Sequence, residues 1–167
     1  MRKVILELAV SLDGFIEGPN GEYDWCFNDQ DYGLTEFMKD IDAIFMGRRS
    51  YEIALKEPGP WRDMRTYVFT NSMKNSPSVN VILIRDMNEV EEILRQPGKD
   101  IWLFGGADLV SQFLNRNLVD IVRMAVHPII LGKGKPLFQN INERKKLTLI
   151  DSKTYNTGLV SLKYSLS

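Results

Sequence analysis

The sequence predicts an α/β protein with a mostly parallel central sheet, flanking helices and an antiparallel C-terminal end. Three observations carry that prediction. Strand-like apolar runs alternate with helical periodicity as far as Asn115, and only strand-like runs follow. The run Ile101-Trp102-Leu103-Phe104 places four bulky residues in succession, the pattern of a strand buried on both faces inside a parallel sheet. The last run, Leu159 to Leu166, alternates as a hairpin partner at a sheet edge does.

Taken in order, Val4 to Val10 reads as the first strand, ending at Ser11-Leu12-Asp13-Gly14. From Phe15 to Asp24 the chain is rich in turn formers, including Pro19-Asn20-Gly21, and reads as a loop long enough to carry function. Tyr32, Leu34, Phe37, Met38 and Ile41 recur at helical spacing after the polar cluster Asn28 to Asp31, any member of which could cap. Ile41 to Met46 is strand, stopped by Gly47, and Arg48 to Lys56 is a helix ended by Pro58-Gly59-Pro60. Thr66 to Thr70 and Val79 to Ile84 are strands. Asn88, with Glu91 three residues on, predicts a capping box for a helix that buries Val90, Ile93 and Leu94. Next comes the strand Ile101 to Phe104, then a helix from Leu109, Val110, Phe113 and Leu114. Leu118 to Leu131 is a long strand-like run broken by Pro128, Gly132 to Pro136 is a turn, and Leu147 to Ile150 is a further strand.

Composition narrows the function classes. The chain has 167 residues, which fits one domain over 1–167, and its 21 basic and 22 acidic side chains leave no excess charge to hold nucleic acid. No apolar run reaches membrane-spanning length, so a cytoplasmic protein is expected. One cysteine and one histidine argue against a disulfide, a zinc site or a Cys-His nucleophile. His127, inside an apolar run, reads as a strand residue.

The chemistry lies at three strand ends: Gly47-Arg48-Arg49-Ser50, Thr70-Asn71-Ser72 and Gly105-Gly106-Ala107. In an open α/β sheet the carboxyl ends of parallel strands share one edge, where ligands bind. Two glycines leave no β-carbon to obstruct an anion, and helix N-termini present free N–H groups to it. Arg48 and Arg49 offer guanidinium forks, and Ser50, Thr70 and Ser72 offer hydroxyls. Together these predict a ligand with more than one phosphate, such as a nucleotide. Neither a G-x-G-x-x-G fingerprint nor a Walker loop is present.

These motifs resemble the dihydrofolate reductase superfamily, in order: Ser11-Leu12-Asp13-Gly14-Phe15-Ile16, Trp25, Met46 to Glu52, Thr70-Asn71-Ser72, Gly105-Gly106-Ala107 and Leu131-Gly132-Lys133-Gly134-Lys135-Pro136-Leu137-Phe138. The nearest branch is the one named for the reductase domain of the bifunctional riboflavin-biosynthesis deaminase/reductase. The resemblance implies an NADPH-dependent reductase acting on a C=N or C=O of a small heterocyclic substrate, a pteridine or a ribosylamino compound. It implies that Arg48, Arg49, Ser50, Thr70 and Ser72 hold the adenosine 2′-phosphate side. It also implies that Gly105, Gly106 and Ala107 support the pyrophosphate, that the loop from Gly14 to Asp24 closes over the nicotinamide, and that Ala9, Phe15, Gly47, Asn71, Asp108 and Leu109 belong to the cofactor-binding set. Trp25 matches a loop tryptophan expected beside the substrate. Asp31 is the nearest counterpart of the family's proton-delivering carboxylate and Asp13 the second candidate, with capping as the alternative role for each. The resemblance further implies a homodimer, expected here through Leu159 to Tyr164. The alternative to an enzyme is a non-catalytic NADPH-binding module of the same fold.

Overall fold

In the computed structural model, which describes residues 1–57 and 59–166, eight strands form one sheet in the order β5-β4-β3-β6-β1-β7-β10-β9. Every pair from β5 (Val81–Ile84) through β4 (Arg65–Phe69), β3 (Ile41–Gly47), β6 (Asp100–Gly105) and β1 (Val4–Ser11) to β7 (Ile121–His127) is parallel. The hairpin of β9 (Leu147–Thr154) and β10 (Val160–Leu166) adds to β7 antiparallel. The predicted class is therefore observed. Among the described residues no helix is long and apolar enough to cross a membrane.

Alternation of side chains along each strand sends neighbours to opposite faces, and helices cover both. On one face Val4, Leu6, Phe45 and Leu103 pack against α3 (Glu89–Arg95) and α4 (Ala107–Asn115), where Phe113 is fully buried. On the other, Ile5, Ile44 and Trp102 pack against α1 (Leu34–Met38) and α2 (Arg48–Ala54) through Phe37, Tyr51 and Ala54. Truncating a residue placed like Phe113 to alanine costs about 3–5 kcal/mol, so these layers fix the strand ends firmly.

Several boundaries differ from expectation, each for a local reason. The segment after β1 holds a short strand, β2 (Phe15–Glu17), because β8 (Lys135–Pro136) supplies an antiparallel partner that sequence periodicity cannot reveal. The helix from Arg48 closes at Ala54 rather than Lys56, and the chain then makes a 3₁₀ turn over Pro60–Asp63; Pro58, expected to end the helix, lies outside the described residues. The predicted capping box is not formed. Asn88 is itself helical, while Glu89 accepts the Arg85 and Asp86 amides and Asp86 accepts that of Asn88. β10 is not the edge strand either: it lies between β7 and β9, and Leu159 is buried, so the uncovered apolar side chains are Leu147, Leu149 and Ile150 of β9.

Candidate functional site

Register brings the three predicted strand ends together. β3 lies between β4 and β6, with Gly47 opposite Phe69, the residue before Thr70, and Met46 opposite Gly105. The Gly105–Gly106 peptide is cis, and Gly105 takes φ +112°, a conformation open to glycine and costly for other residues. A β-carbon on Gly106 would sit 3.6 Å from Ser50 Oγ, and one on Gly47 3.6 Å from the Gly105 carbonyl oxygen. The glycines thus keep a narrow backbone cradle open between α2 and α4.

Two cavities share Arg48, and the first of them reaches the cradle at Gly47 and Gly106. The first, a cleft of about 470 Å³, is lined by Gly47, Arg49, Ser50, Gly106, Ala107, Asp108 and Leu109 together with Leu8, Ala9, Tyr23, Cys26, Glu57, Trp61 and Phe104. The second, about 480 Å³, is bordered by Thr70, Asn71, Ser72, Arg85 and Gln112. The Thr70 hydroxyl oxygen accepts the Ser72 and Met73 amides, each at 3.2 Å, and Arg85 donates to the Thr70 and Met73 carbonyls. Arg85 thereby fixes the loop that carries the predicted hydroxyls, a role its surroundings in the sequence did not signal.

The two arginines separate. Arg48 turns along α2, 3.7 Å from Glu52, and borders both cavities, whereas Arg49 lies 3.5 Å from Glu17 of β2 and borders only the cleft. Lys135 of β8 also lines the cleft, 3.6 Å from Asp108. Gly14 and Phe15 do not line it. They open β2, where the Gly14 carbonyl accepts the Leu137 amide, and it is Ile16 and Glu17 that reach the cleft wall.

Neither predicted carboxylate lines the cleft. Asp31 is exposed and caps α1, accepting the Leu34 and Thr35 amides at 2.7 and 3.3 Å. Hydrogen bonds from the Thr35 side chain and from backbone amides hold its carboxyl below the usual value, so it stays ionised at neutral pH. Asp13 ties the turn after β1 to a distant loop, accepting the Leu131 and Gly132 amides at 3.1 and 2.8 Å and the Ser11 hydroxyl at 2.7 Å. Desolvation, the largest single influence, pushes its carboxyl up, but these hydrogen bonds together outweigh it and the net direction is down. Both are structural staples, the alternative reading, and the environment of each opposes proton donation.

Trp25 packs edge-on against His127, with ring centroids 5.3 Å apart, and its indole N–H is buried with no hydrogen-bond partner. It does not line the cleft, although its neighbour Cys26 does. His127 ends β7 as a buried structural residue: Nε2 accepts the Phe27 amide at 3.1 Å and Nδ1 lies 2.9 Å from the Ala125 carbonyl oxygen, which sets the neutral Nδ1–H tautomer. Desolvation lowers its pKa and favours that form. Burial pushes the Cys26 thiol up to about 11, which removes it as a nucleophile.

Sequence reasoning missed Tyr23, Glu57, Trp61 and Phe104, which also wall the cleft. The Tyr23 hydroxyl donates to Glu57 at 3.1 Å, Trp61 Nε1 donates to the Ala54 carbonyl at 3.2 Å, and the Trp61 and Phe104 rings are 6.1 Å apart. The suspicion of function in the loop after β1 was a signal for Tyr23. No local pattern marks Glu57 or Trp61.

Known proteins resemble this chain over nearly its whole length. The model of the RibD C-terminal domain matches residues 2–161. YyaP of Bacillus subtilis (strain 168), an uncharacterized protein, is 40% identical over 98% of this chain and 94% of its own length. A solved structure from Shewanella sp. PV-4, with a provisional riboflavin-biosynthesis name, superposes with TM-score 0.86 at 26% identity over 99% of both chains. A Thermotoga maritima deaminase/5-amino-6-(5-phosphoribosylamino)uracil reductase shares the fold, with TM-score 0.75 at 19% identity; 99% of this chain covers 57% of that one.

Proposed function

This chain belongs to the RibD C-terminal domain family, whose structural neighbours indicate a reductase, and on that premise we propose that its cleft uses NADPH to reduce a C=N or C=O of a small heterocyclic or ribosylamino substrate. The observation that carries this reading is the meeting of the β3, β4 and β6 ends around a glycine cradle bordered by Arg48, Ser50, Thr70 and Ser72. That donor set fits a dinucleotide. Arg48, Thr70, Asn71 and Ser72 would hold the 2′-phosphate side, with Arg85 keeping their loop in place. The open cradle at Gly105 and Gly106, followed by the amides of the nine-residue helix α4, suits the pyrophosphate. Ala9 and Phe104 border the continuation of the cleft, where the nicotinamide would lie.

Bound there, the cofactor would supply the hydride; the protein's share is position, electrostatics and exclusion of water. Leu8, Ile16, Ile53 and Leu109 give the cleft apolar walls that strengthen each polar contact inside it. With Asp31 and Asp13 elsewhere, the proton comes from water or from the Tyr23 hydroxyl. Desolvation and Glu57 both raise the pKa of Tyr23, so it keeps its proton at neutral pH.

One observation favours a second reading, a non-catalytic nucleotide-binding module: both predicted acids are staples outside the cleft. The deciding measurement is loss of NADPH absorbance against pteridine, pyrimidine and ribose-derived compounds, with cofactor binding titrated separately. Turnover of any of them supports the reductase, binding without turnover supports the module, and failure to bind NADPH refutes both. A cytoplasmic homodimer completes the proposal.

A further inference from the structure

β1 runs through the middle of the sheet, between β6 and β7. Val4, Ile5, Leu6, Val10 and Ser11 of this strand are buried, and only Glu7, Leu8 and Ala9 between them are partly exposed. Leu8 and Ala9 line the cleft, which places Glu7 at its margin. Alternation turns the Glu7 side chain to the face of Ile5 and Ala9, where Ile5 lies opposite Trp102 and Phe104 follows two residues further along β6. From the other side Arg123 of β7 is the register partner of Glu7. Phe37 of α1 covers this group: its ring stands edge-on to Trp102 at 5.4 Å and carries the Arg123 guanidinium over it at 5.3 Å.

The Glu7 backbone carbonyl accepts the Trp102 indole N–H at 2.8 Å, but its carboxyl makes no hydrogen bond among the described residues. Nor is that carboxyl sealed from solvent: the Trp25 indole nitrogen is the one described side-chain atom both buried and without a partner. Arg123, the charged group that faces Glu7, is committed to the Tyr32 and Gly33 carbonyls at 3.1 and 3.0 Å. β6 and α1 face it with Trp102, Phe104 and Phe37, none of which titrates, and Lys163 of β10 stands one strand further off, opposite Arg123. Burial raises the carboxyl to about 7 against the pull of Arg123, so both of its forms are present near neutral pH. Two residues on one face of a strand are roughly 7 Å apart, a gap that the Glu7 stem and a single water span as far as Ala9.

We propose that Glu7 is the proton reservoir of the reduction, set at the nicotinamide end of the cleft and connected to the reacting atoms through one water. The hydride and its electron pair go to the carbon of the C=N or C=O, the water gives a proton to the nitrogen or oxygen, and Glu7 gives its own to that water. Left as a carboxylate, Glu7 is reprotonated from solvent before the next turnover. This assignment rests on the reductase reading, and its test needs no substrate. NADP⁺ carries a positive charge on the nicotinamide ring that NADPH lacks, so a carboxylate at that end favours the oxidised cofactor once it ionises. The 2′-phosphate is common to both cofactors, and its titration cancels in the ratio of their affinities.

Calorimetric titration of both cofactors from about pH 5.5 to about pH 8.5 brackets the Glu7 value of about 7. Across that window the preference for NADP⁺ over NADPH should rise on the order of tenfold, which corresponds to a difference of about one pKa unit for Glu7 between the two complexes. Glu7→Gln should make the ratio independent of pH. With a compound that turns over, the same variant should lower kcat by about 10²-fold or more, leave KM within about twofold and remove the fall in kcat above neutral pH. A pH-independent cofactor ratio in the unaltered protein overturns the inference, as does the same rise in Glu7→Gln or an unaltered kcat profile in that variant. Failure to bind either cofactor refutes the reductase reading instead.

Discussion

Arg48→Ala separates the two arginines that the sequence presents as equals. Arg48 borders both cavities, is 51% exposed, and makes one i,i+4 contact with Glu52 at 3.7 Å. Such an exposed pair contributes about 0.3–0.5 kcal/mol, so the variant keeps its fold. A hydrogen bond from a guanidinium to a phosphate contributes about 1.5–3 kcal/mol, and partial exposure places this one near the lower limit. At about 1.4 kcal/mol per factor of ten, NADPH should bind about ten- to thirtyfold more weakly. NADH lacks the 2′-phosphate and should change by less than about twofold, because only general attraction is lost. Calorimetric titration of both cofactors at one fixed ionic strength measures the ratio. Arg49→Ala is the matched comparison: with Arg49 directed at Glu17 and absent from the second cavity, it should shift the ratio less. An unchanged NADPH/NADH ratio in Arg48→Ala, or a larger change in Arg49→Ala, would refute the assignment of Arg48 to the 2′-phosphate.

Four further outcomes follow from the geometry. In Gly106→Val the new β-carbon meets Ser50 Oγ at an ordinary 3.6 Å, so a folded protein is expected whose NADPH affinity falls by about tenfold or more; unchanged affinity in a folded variant removes Gly106 from the site. Asp31→Ala should cost about 0.5–2 kcal/mol in denaturant unfolding, the usual value of a helix cap, with turnover intact; loss of turnover at unchanged stability would restore Asp31 as the acid. Burial raises the Glu7 carboxyl from 4.5 to about 7, against the opposing pull of Arg123. The fold therefore favours the protonated form: its ionisation penalty is absent below pH 4.5, grows through the interval and is complete above 7. Glu7→Gln should raise stability at pH 8 by up to about 3 kcal/mol and leave it unchanged at pH 4, and equal melting shifts at both pH values would contradict this. Finally, Leu147, Leu149 and Ile150 on β9 are 40%, 53% and 52% exposed along an edge strand, which favours a homodimer through the β9–β10 hairpin; sedimentation of a 19.2 kDa species at micromolar concentration would count against it.

What the sequence revealed and what it hid divide along the range of the interactions. Strands β1, β3 and β6 were legible because their apolar runs are continuous, and the glycine cradle was legible because Gly105 and Gly106 are consecutive. Even the convergence of Gly47, Thr70 and Gly105 followed from a general rule about parallel strand ends, before the registers were known. β2 was missed because its partner β8 lies more than a hundred residues away and only two residues of β8 pair with it. The capping box failed on a local competition that spacing does not encode, since Glu89 takes the amides from Arg85 and Asp86 and the helix is entered through them. The carboxylates show the same limit in chemistry. An aspartate ahead of a helix is compatible with an acid and with a cap, and only the amides of Leu34 and Thr35 converging on Asp31 decide between them. Glu57 is the converse case: nothing near it in sequence marks it, and only the fold brings the Tyr23 hydroxyl to it at the cleft. A staple draws its partners from amides that would otherwise be orphaned, whereas a binding group keeps acceptor capacity unspent in a cavity, and that distinction exists only in three dimensions.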